Sequence, residues 1–172
     1  MKTRISVLLM LLTIFTISGF AQEKSKKQIK EEAKIEKQKQ TEALVNSKTF
    51  VFNASTAIPQ GSKPVNLTAI YNVKFSPDTI VSYMPFYGNA NRGVGFGGDT
   101  GMKFEGKPED FIVEKGKKNY KVNAVVKGEN DTYQISLSIG FKGSTMLSIS
   151  SNNRSNISYN GEISAPKPKK KK

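Results

Sequence analysis

Asn119-Tyr120-Lys121-Val122-Asn123-Ala124-Val125-Val126-Lys127, followed beyond Gly128-Glu129-Asn130-Asp131 by Thr132-Tyr133-Gln134-Ile135-Ser136-Leu137-Ser138-Ile139, is the stretch that decides the fold. Apolar side chains stand at 120, 122, 124 and 126, and again at 133, 135, 137 and 139. A repeat of two is that of a pleated strand, whose successive side chains point to opposite faces. The intervening residues are mostly Lys, Asn, Gln and Ser, so one face of each strand meets water. A Gly-Glu-Asn-Asp connection supplies turn chemistry, and the two runs therefore predict an antiparallel pair.

Working outward, Leu147, Ile149, Ile157, Tyr159 and Ile163 extend this pair into a four-stranded meander. Upstream, Phe50, Phe52 and Ala54 alternate with polar residues. Val65, Leu67, Ala69, Tyr71, Val73 and Phe75 form the longest alternation in the chain and predict one continuous strand. Ser76-Pro77-Asp78-Thr79 is a tight turn, after which Ile80 to Met84 returns antiparallel. Met102-Lys103-Phe104 and Asp110 to Val113 read as two short strands. Eight or nine short strands predict an all-β domain with an N-terminal helix, either an antiparallel β-sandwich or a partly open barrel. The sandwich is the expectation, because the sequence carries no visible signal for closure.

Tyr83-Met84-Pro85-Phe86-Tyr87-Gly88-Asn89-Ala90 interrupts the alternation with three aromatics. Proline fixes φ and removes a donor, so Pro85 should end its strand. Tyr83 and Met84 should point in opposite directions, so the aromatics cannot all be core. A loop from Gly88 to Gly101 follows, with Gly93-Val94-Gly95-Phe96-Gly97-Gly98 at its centre. The letters match a dinucleotide fingerprint, but no helical pattern follows to hold a phosphate, so the match is accidental. A glycine-rich surface loop, or a flap that orders over a ligand, is the expectation there.

The ends differ in character. Residues 1–21 read as a signal peptide: Lys2 and Arg4, an apolar run from Ile5 to Ile17, and Gly19-Phe20-Ala21 as the cleavage site. With no cysteine near that site, a lipid-modified N-terminus is not expected. Residues 22–48 are a charged helical spacer without a steady apolar stripe, expected to touch the domain near Ala43-Leu44-Val45. Residues 49–165 form the β-domain, and 166–172 a disordered Lys-rich tail. The net charge of +13 resides largely in the ends, since residues 49–165 hold twelve basic and nine acidic residues. No nucleic-acid surface is expected on so balanced a domain. Lys167, Lys169, Lys170, Lys171 and Lys172 form a run suited to an anionic surface.

These residues resemble an uncharacterised family of exported Bacteroidota proteins, the domain of unknown function numbered four-two-five-one. A Tyr-Leu-Pro-Tyr-Phe-Gly-Arg-Ala segment of that family is similar to Tyr83–Ala90. Its Asn-Arg-x-x-Ile-x-Tyr-x-Gly is similar to Asn153, Arg154, Ile157, Tyr159 and Gly161, and its Leu-Thr-x-x-Tyr to Leu67, Thr68 and Tyr71. The likeness spans about residues 44 to 164. Asn89 stands where the family usually has arginine. The resemblance implies export to the periplasm or outer envelope and a β-rich fold, but no activity.

Function is less legible. Histidine and cysteine are absent, which removes the commonest general base, the thiol nucleophile and the usual zinc ligands. No catalytic residues, metal or cofactor are assigned, and the protein is not expected to be an enzyme. Tyr83, Phe86, Tyr87, Asn89, Arg92 and Arg154 are the candidates for binding an envelope protein or glycan. The same aromatics could instead fill the core, and Arg154 could pair with a carboxylate or a backbone carbonyl. Asp78-Thr79-Ile80 resembles a Bacteroidota O-glycosylation signal, which makes Thr79 a candidate acceptor. The alternatives are a structural or inhibitory module acting through a sheet edge, and a carboxylate-based hydrolase.

Overall fold

The computed structural model describes residues 26–88, 101–128 and 131–168. Its elements are α1 (Lys26–Asn46), β1 (Phe50–Pro59), β2 (Val65–Asn66), β3 (Asn72–Phe75), β4 (Ile80–Met84) and β5 (Met102–Gly106), then β6 (Pro108–Lys115), β7 (Asn119–Lys127), β8 (Thr132–Gly140), β9 (Ser144–Ser151) and β10 (Ile157–Ser164). The described residues from Lys34 onward form one compact unit. The expected signal peptide, and most of the glycine-rich loop, lie outside the described residues.

All strands belong to one antiparallel sheet in the order β5-β4-β3-β1-β10-β9-β8-β7-β6, with β2 paired to β1. The predicted meander is β7 to β10. Its inward residues Val122, Leu137, Leu147, Ile149 and Tyr159 are all at most 1% exposed.

Two expectations change. The sandwich gives way to the other predicted form, a nearly closed barrel. The two ends of the sheet, β5 and β6, are separated in sequence by Lys107 alone. One residue spans at most about 3.6 Å, so the sheet must curl until its ends meet. β5 and β6 are the two halves of one bent strand, bonded to β4 in the first half and to β7 in the second. Gly106 marks the bend, where a Cβ would lie 2.8 Å from Val126 Cγ1 and 3.0 Å from the Lys127 carbonyl oxygen. Phe104 crosses the seam and stacks on Tyr133 at 4.0 Å.

Second, the long alternation from Val65 to Phe75 is not one strand. β1 pairs with Asn72 at Asn53 but with Asn66 at Thr56. Between these two pairs β1 has two residues, Ala54 and Ser55, where the partner has five, Leu67 to Tyr71, and the surplus loops out. The excursion is pinned at its base by Leu67 N–H donating to the Ser55 carbonyl and Ala54 N–H to the Tyr71 carbonyl. Ile70, at its tip, is 81% exposed. Alternation alone reports only that a segment can be a strand; the partner's register decides whether it is.

The C-terminal part of α1 lies against the barrel. Val45, in the stretch expected to touch the domain, is fully buried, and Thr41 one turn earlier is nearly so. Lys48 Nζ donates to the Phe111 carbonyl and sits over its ring, while Glu42 bonds Lys115 at 2.6 Å. Gly143 of the β8–β9 turn and Ile163 near the end of β10 pack beside Thr41. These contacts fall at one end of the strands, so the helix closes that end of the barrel. Among the described residues, no helix is long and apolar enough to cross a membrane.

Candidate functional site at the open end of the barrel

The end away from the helix gathers the β4–β5, β7–β8 and β9–β10 connections. The chain segments quoted above as motifs converge there. Tyr159 Oη donates to the Pro85 carbonyl at 2.6 Å. Arg154 lies over the Phe86 ring, 5.8 Å from its centroid, and Nη1 is 3.9 Å from Met102 Sδ. Ser155 Oγ lies against Gly88. Tyr71 stacks on Tyr83 with centroids 5.9 Å apart.

Each candidate falls into a definite place. Pro85 ends β4 as predicted. Met84 faces the core at 1% exposure, while Tyr83 faces out at 50%. Phe86 is 8% exposed and belongs to the core, whereas Tyr87 is 44% exposed. The three aromatics therefore divide, two to the surface and one inside. Lys103 Nζ sits 4.6 Å from the Tyr83 ring centroid, a cation over a π face. Asn89 and Arg92 lie outside the described residues. Thr79 is half-buried in its turn, where its N–H donates to Ser76 Oγ and its carbonyl accepts from Ser76. Lys167 is exposed, and Lys169 to Lys172 lie outside the described residues.

Arg154 is half-buried, and among the described residues no carboxylate lies within ion-pairing distance of it. Its environment is the Phe86 ring, the Met102 sulfur and the hydroxyl of Tyr133. Arg154 Nε and Ser151 Oγ are buried there and have no hydrogen-bond partner among the described residues. Burial raises the Tyr133 phenol above its ordinary pKa, an effect that the Arg154 charge partly offsets. Burial likewise raises the Tyr159 phenol strongly, with the neighbouring Tyr87 adding to the shift. At neutral pH both phenols are protonated, and that of Tyr159 donates to the Pro85 carbonyl.

Two carboxylates near this end have structural duties. Asp131 Oδ1 accepts from the backbone N–H groups of Thr132 and Asn152 and ties two turns together. Glu109 pairs with Lys127 at 3.1 Å. Among the described residues, no group of three or more His, Cys, Asp or Glu could hold a metal ion.

Tyr71 and Lys103 were missed as members of the aromatic surface. Tyr71 stands in the Leu-Thr-x-x-Tyr motif, which was a signal, but its meeting with Tyr83 depends on the β3–β4 pairing. Lys103 is opposite Tyr83 only through the β4–β5 register, where the two are Cα partners.

A helix-plugged antiparallel barrel with an aromatic rim at its open end defines the class of this protein. The Domain of unknown function (DUF4251) model matches residues 32–163, and the chain belongs to that family. The structure is similar to that of a DUF4251 family protein from Bacteroides eggerthii, with a TM-score of 0.61 and 17% identity. The match covers 75% of this chain and 87% of that one, and at this identity it speaks for the fold. No curated protein matches.

Proposed function

We propose that this family member is an exported, non-catalytic β-domain of the cell envelope that binds a protein or glycan partner through the aromatic rim. The observation that carries the reading is the arrangement of Tyr71, Tyr83 and Tyr87. Tyr83 and Tyr87 are half exposed, and Tyr71 and Lys103 brace the Tyr83 ring. Large aromatics held with few free torsions present contact area at low entropic cost, which is why they anchor interfaces. The structural roles of Asp131 and Glu109 support a binding rather than a hydrolytic role. The sheet-edge alternative draws less support, because the two ends of the sheet are halves of one bent strand.

The test is affinity capture from native envelope, run beside a glycan and peptidoglycan binding screen, with wild type and a Tyr83→Ala/Tyr87→Ala variant. Loss of the retained partner at unchanged melting temperature supports the reading; equal retention overturns it. The lysine tail would add attraction to an anionic surface, about 1 kcal/mol per lysine, that salt screens. Binding to anionic vesicles that survives high salt would remove the tail from the account. For Thr79, an intact mass of the native secreted protein equal to that of the polypeptide would reject glycosylation.

A further inference from the structure

We propose that the outer wall of the barrel carries a second site, a groove across β6 to β9 that takes an uncharged, polyhydroxylated glycan chain. The groove has a volume of about 550 Å³ and is lined chiefly by outward residues of these strands. Ile112, Asn123, Ser136 and Ser148 stand directly opposite one another in a row across four strands. Val125, Gln134 and Ser150 form the next row. Each row runs perpendicular to the strands, so its members are about 4.8 Å apart. The small Ser136, Ser148 and Ser150 keep the β8–β9 side of the floor low beside the larger Ile112, Asn123 and Gln134.

The β6 rim is bent by a bulge between Glu109 and Ile112. Asp110 there has a left-handed backbone, φ 50°, uncommon for a residue with a side chain. Bulges of this kind occur beside binding sites, where they re-aim a side chain.

Four polar side chains of the groove have their hydrogen-bonding groups open to a ligand. Some polar side chains elsewhere on the wall bond across strands, as Asn119 Nδ2 does to Ser138 Oγ at 2.7 Å and Asn53 Nδ2 to Ser164 Oγ at 3.0 Å. Within the groove, Ser148 is bonded to Ser158. The side chains of Asn123, Gln134, Ser136 and Ser150 make no hydrogen bond to another described residue. Amides and hydroxyls both donate and accept, and so reciprocate the hydroxyls of a sugar. Ile112, 50% exposed, offers an apolar rest for a C–H face of a sugar ring.

Charge selects the ligand. The chain carries +13, yet no Lys or Arg lines the groove, and Asp110 stands at its rim. An anionic polymer would find no counter-charge among the lining residues; Lys121 and Lys127 stand beyond them on the outer face of β7, the latter paired with Glu109. The groove reaches the open end at Asn156, but none of Tyr71, Tyr83, Tyr87 and Lys103 lines it, and the proposal stands apart from the function assigned to the aromatic rim.

The test is a titration of the full mature chain with neutral cello-, xylo- and manno-oligosaccharides, and with polygalacturonate as the anionic comparison. Backbone and side-chain amide shifts provide the readout. The expected result is a saturable shift of the Asn123 and Gln134 side-chain amides and of the 134–136 and 148–150 backbone with a neutral oligosaccharide. Asn123→Ala and Gln134→Ala should each weaken binding about threefold to tenfold, the loss of one hydrogen bond. Ser136→Leu, which fills the floor, should abolish binding without lowering the melting temperature. Any of three results overturns the proposal: no shift with any neutral oligosaccharide, shifts confined to Tyr83 and Tyr87, or tighter binding of polygalacturonate. Undiminished binding by Ser136→Leu does the same.

Discussion

At the scale of single residues, Gly161 shows how a motif position can be steric rather than chemical. A Cβ there would fall 2.0 Å from the Asn53 carbonyl oxygen, at the point where the β1–β10 register shifts. Gly161→Ala should therefore destabilise by at least about 2 kcal/mol in denaturant unfolding, the cost of overpacking a closed backbone approach. Tyr159 is chemical. Its phenol is deeply buried and bonded to the Pro85 carbonyl, and burial holds it protonated above the ordinary value of 10.0. In alkali the unfolded chain loses this proton first and then binds fewer protons than the native state. Stability should therefore be intact below pH 10 and fall as pH rises through the native value. Equilibrium unfolding between pH 8 and 11 should show this decline, and Tyr159→Phe should flatten it while lowering stability at neutral pH by about 1 kcal/mol. An equal alkaline slope in the variant would place the effect elsewhere. Tyr159 could be read from the sequence as an inward strand residue, but its bond to Pro85, 74 residues away, could not.

At the scale of elements, the helix illustrates how little of a segment can hold it in place. α1 shows no apolar stripe, and Ile35 is 45% exposed, whereas Val45 is fully buried in the core. Val45→Ala should cost about 2 kcal/mol through the cavity it leaves. Ile35→Ser should stay within about 0.5 kcal/mol of wild type. Equal losses at the two positions would mean that the whole helix face is packed. The sequence pointed to the contact around Ala43-Leu44-Val45 because apolar residues cluster there. It did not reveal Glu42 with Lys115 or Lys48 with Phe111, since an exposed charge carries no mark of its partner. The same limit explains the failure at Val65 to Phe75. Six alternating apolar residues fit a strand, but β1 offers pairing positions for only part of them.

At the scale of the whole molecule, closure depends on the bend at Gly106-Lys107-Pro108. Gly106→Val would press a branched side chain against Val126 and the Lys127 carbonyl, already 2.8 and 3.0 Å from a bare Cβ. Native-state hydrogen exchange should then show lost protection in β5, β6 and β7, with β1, β9 and β10 retaining theirs. Uniform loss over all strands would mean that the barrel opens only by global unfolding.

The sequence by itself determined the antiparallel β class, the meander, the strand-ending Pro85 and the place where the helix meets the core. Each of these follows from a period, a turn residue or a backbone restriction that acts within a few neighbours. Only the tertiary structure decided that the sheet closes, that Phe86 goes in while Tyr83 and Tyr87 stay out, and that Tyr71 and Lys103 join them. It alone placed Asn123, Gln134, Ser136 and Ser150 in one groove, because outward polar residues read alike in a sequence wherever they lie. Those outcomes depend on which strand lies beside which, and in what register. Register is set by the summed packing of segments distant in the chain, so no short stretch carries it.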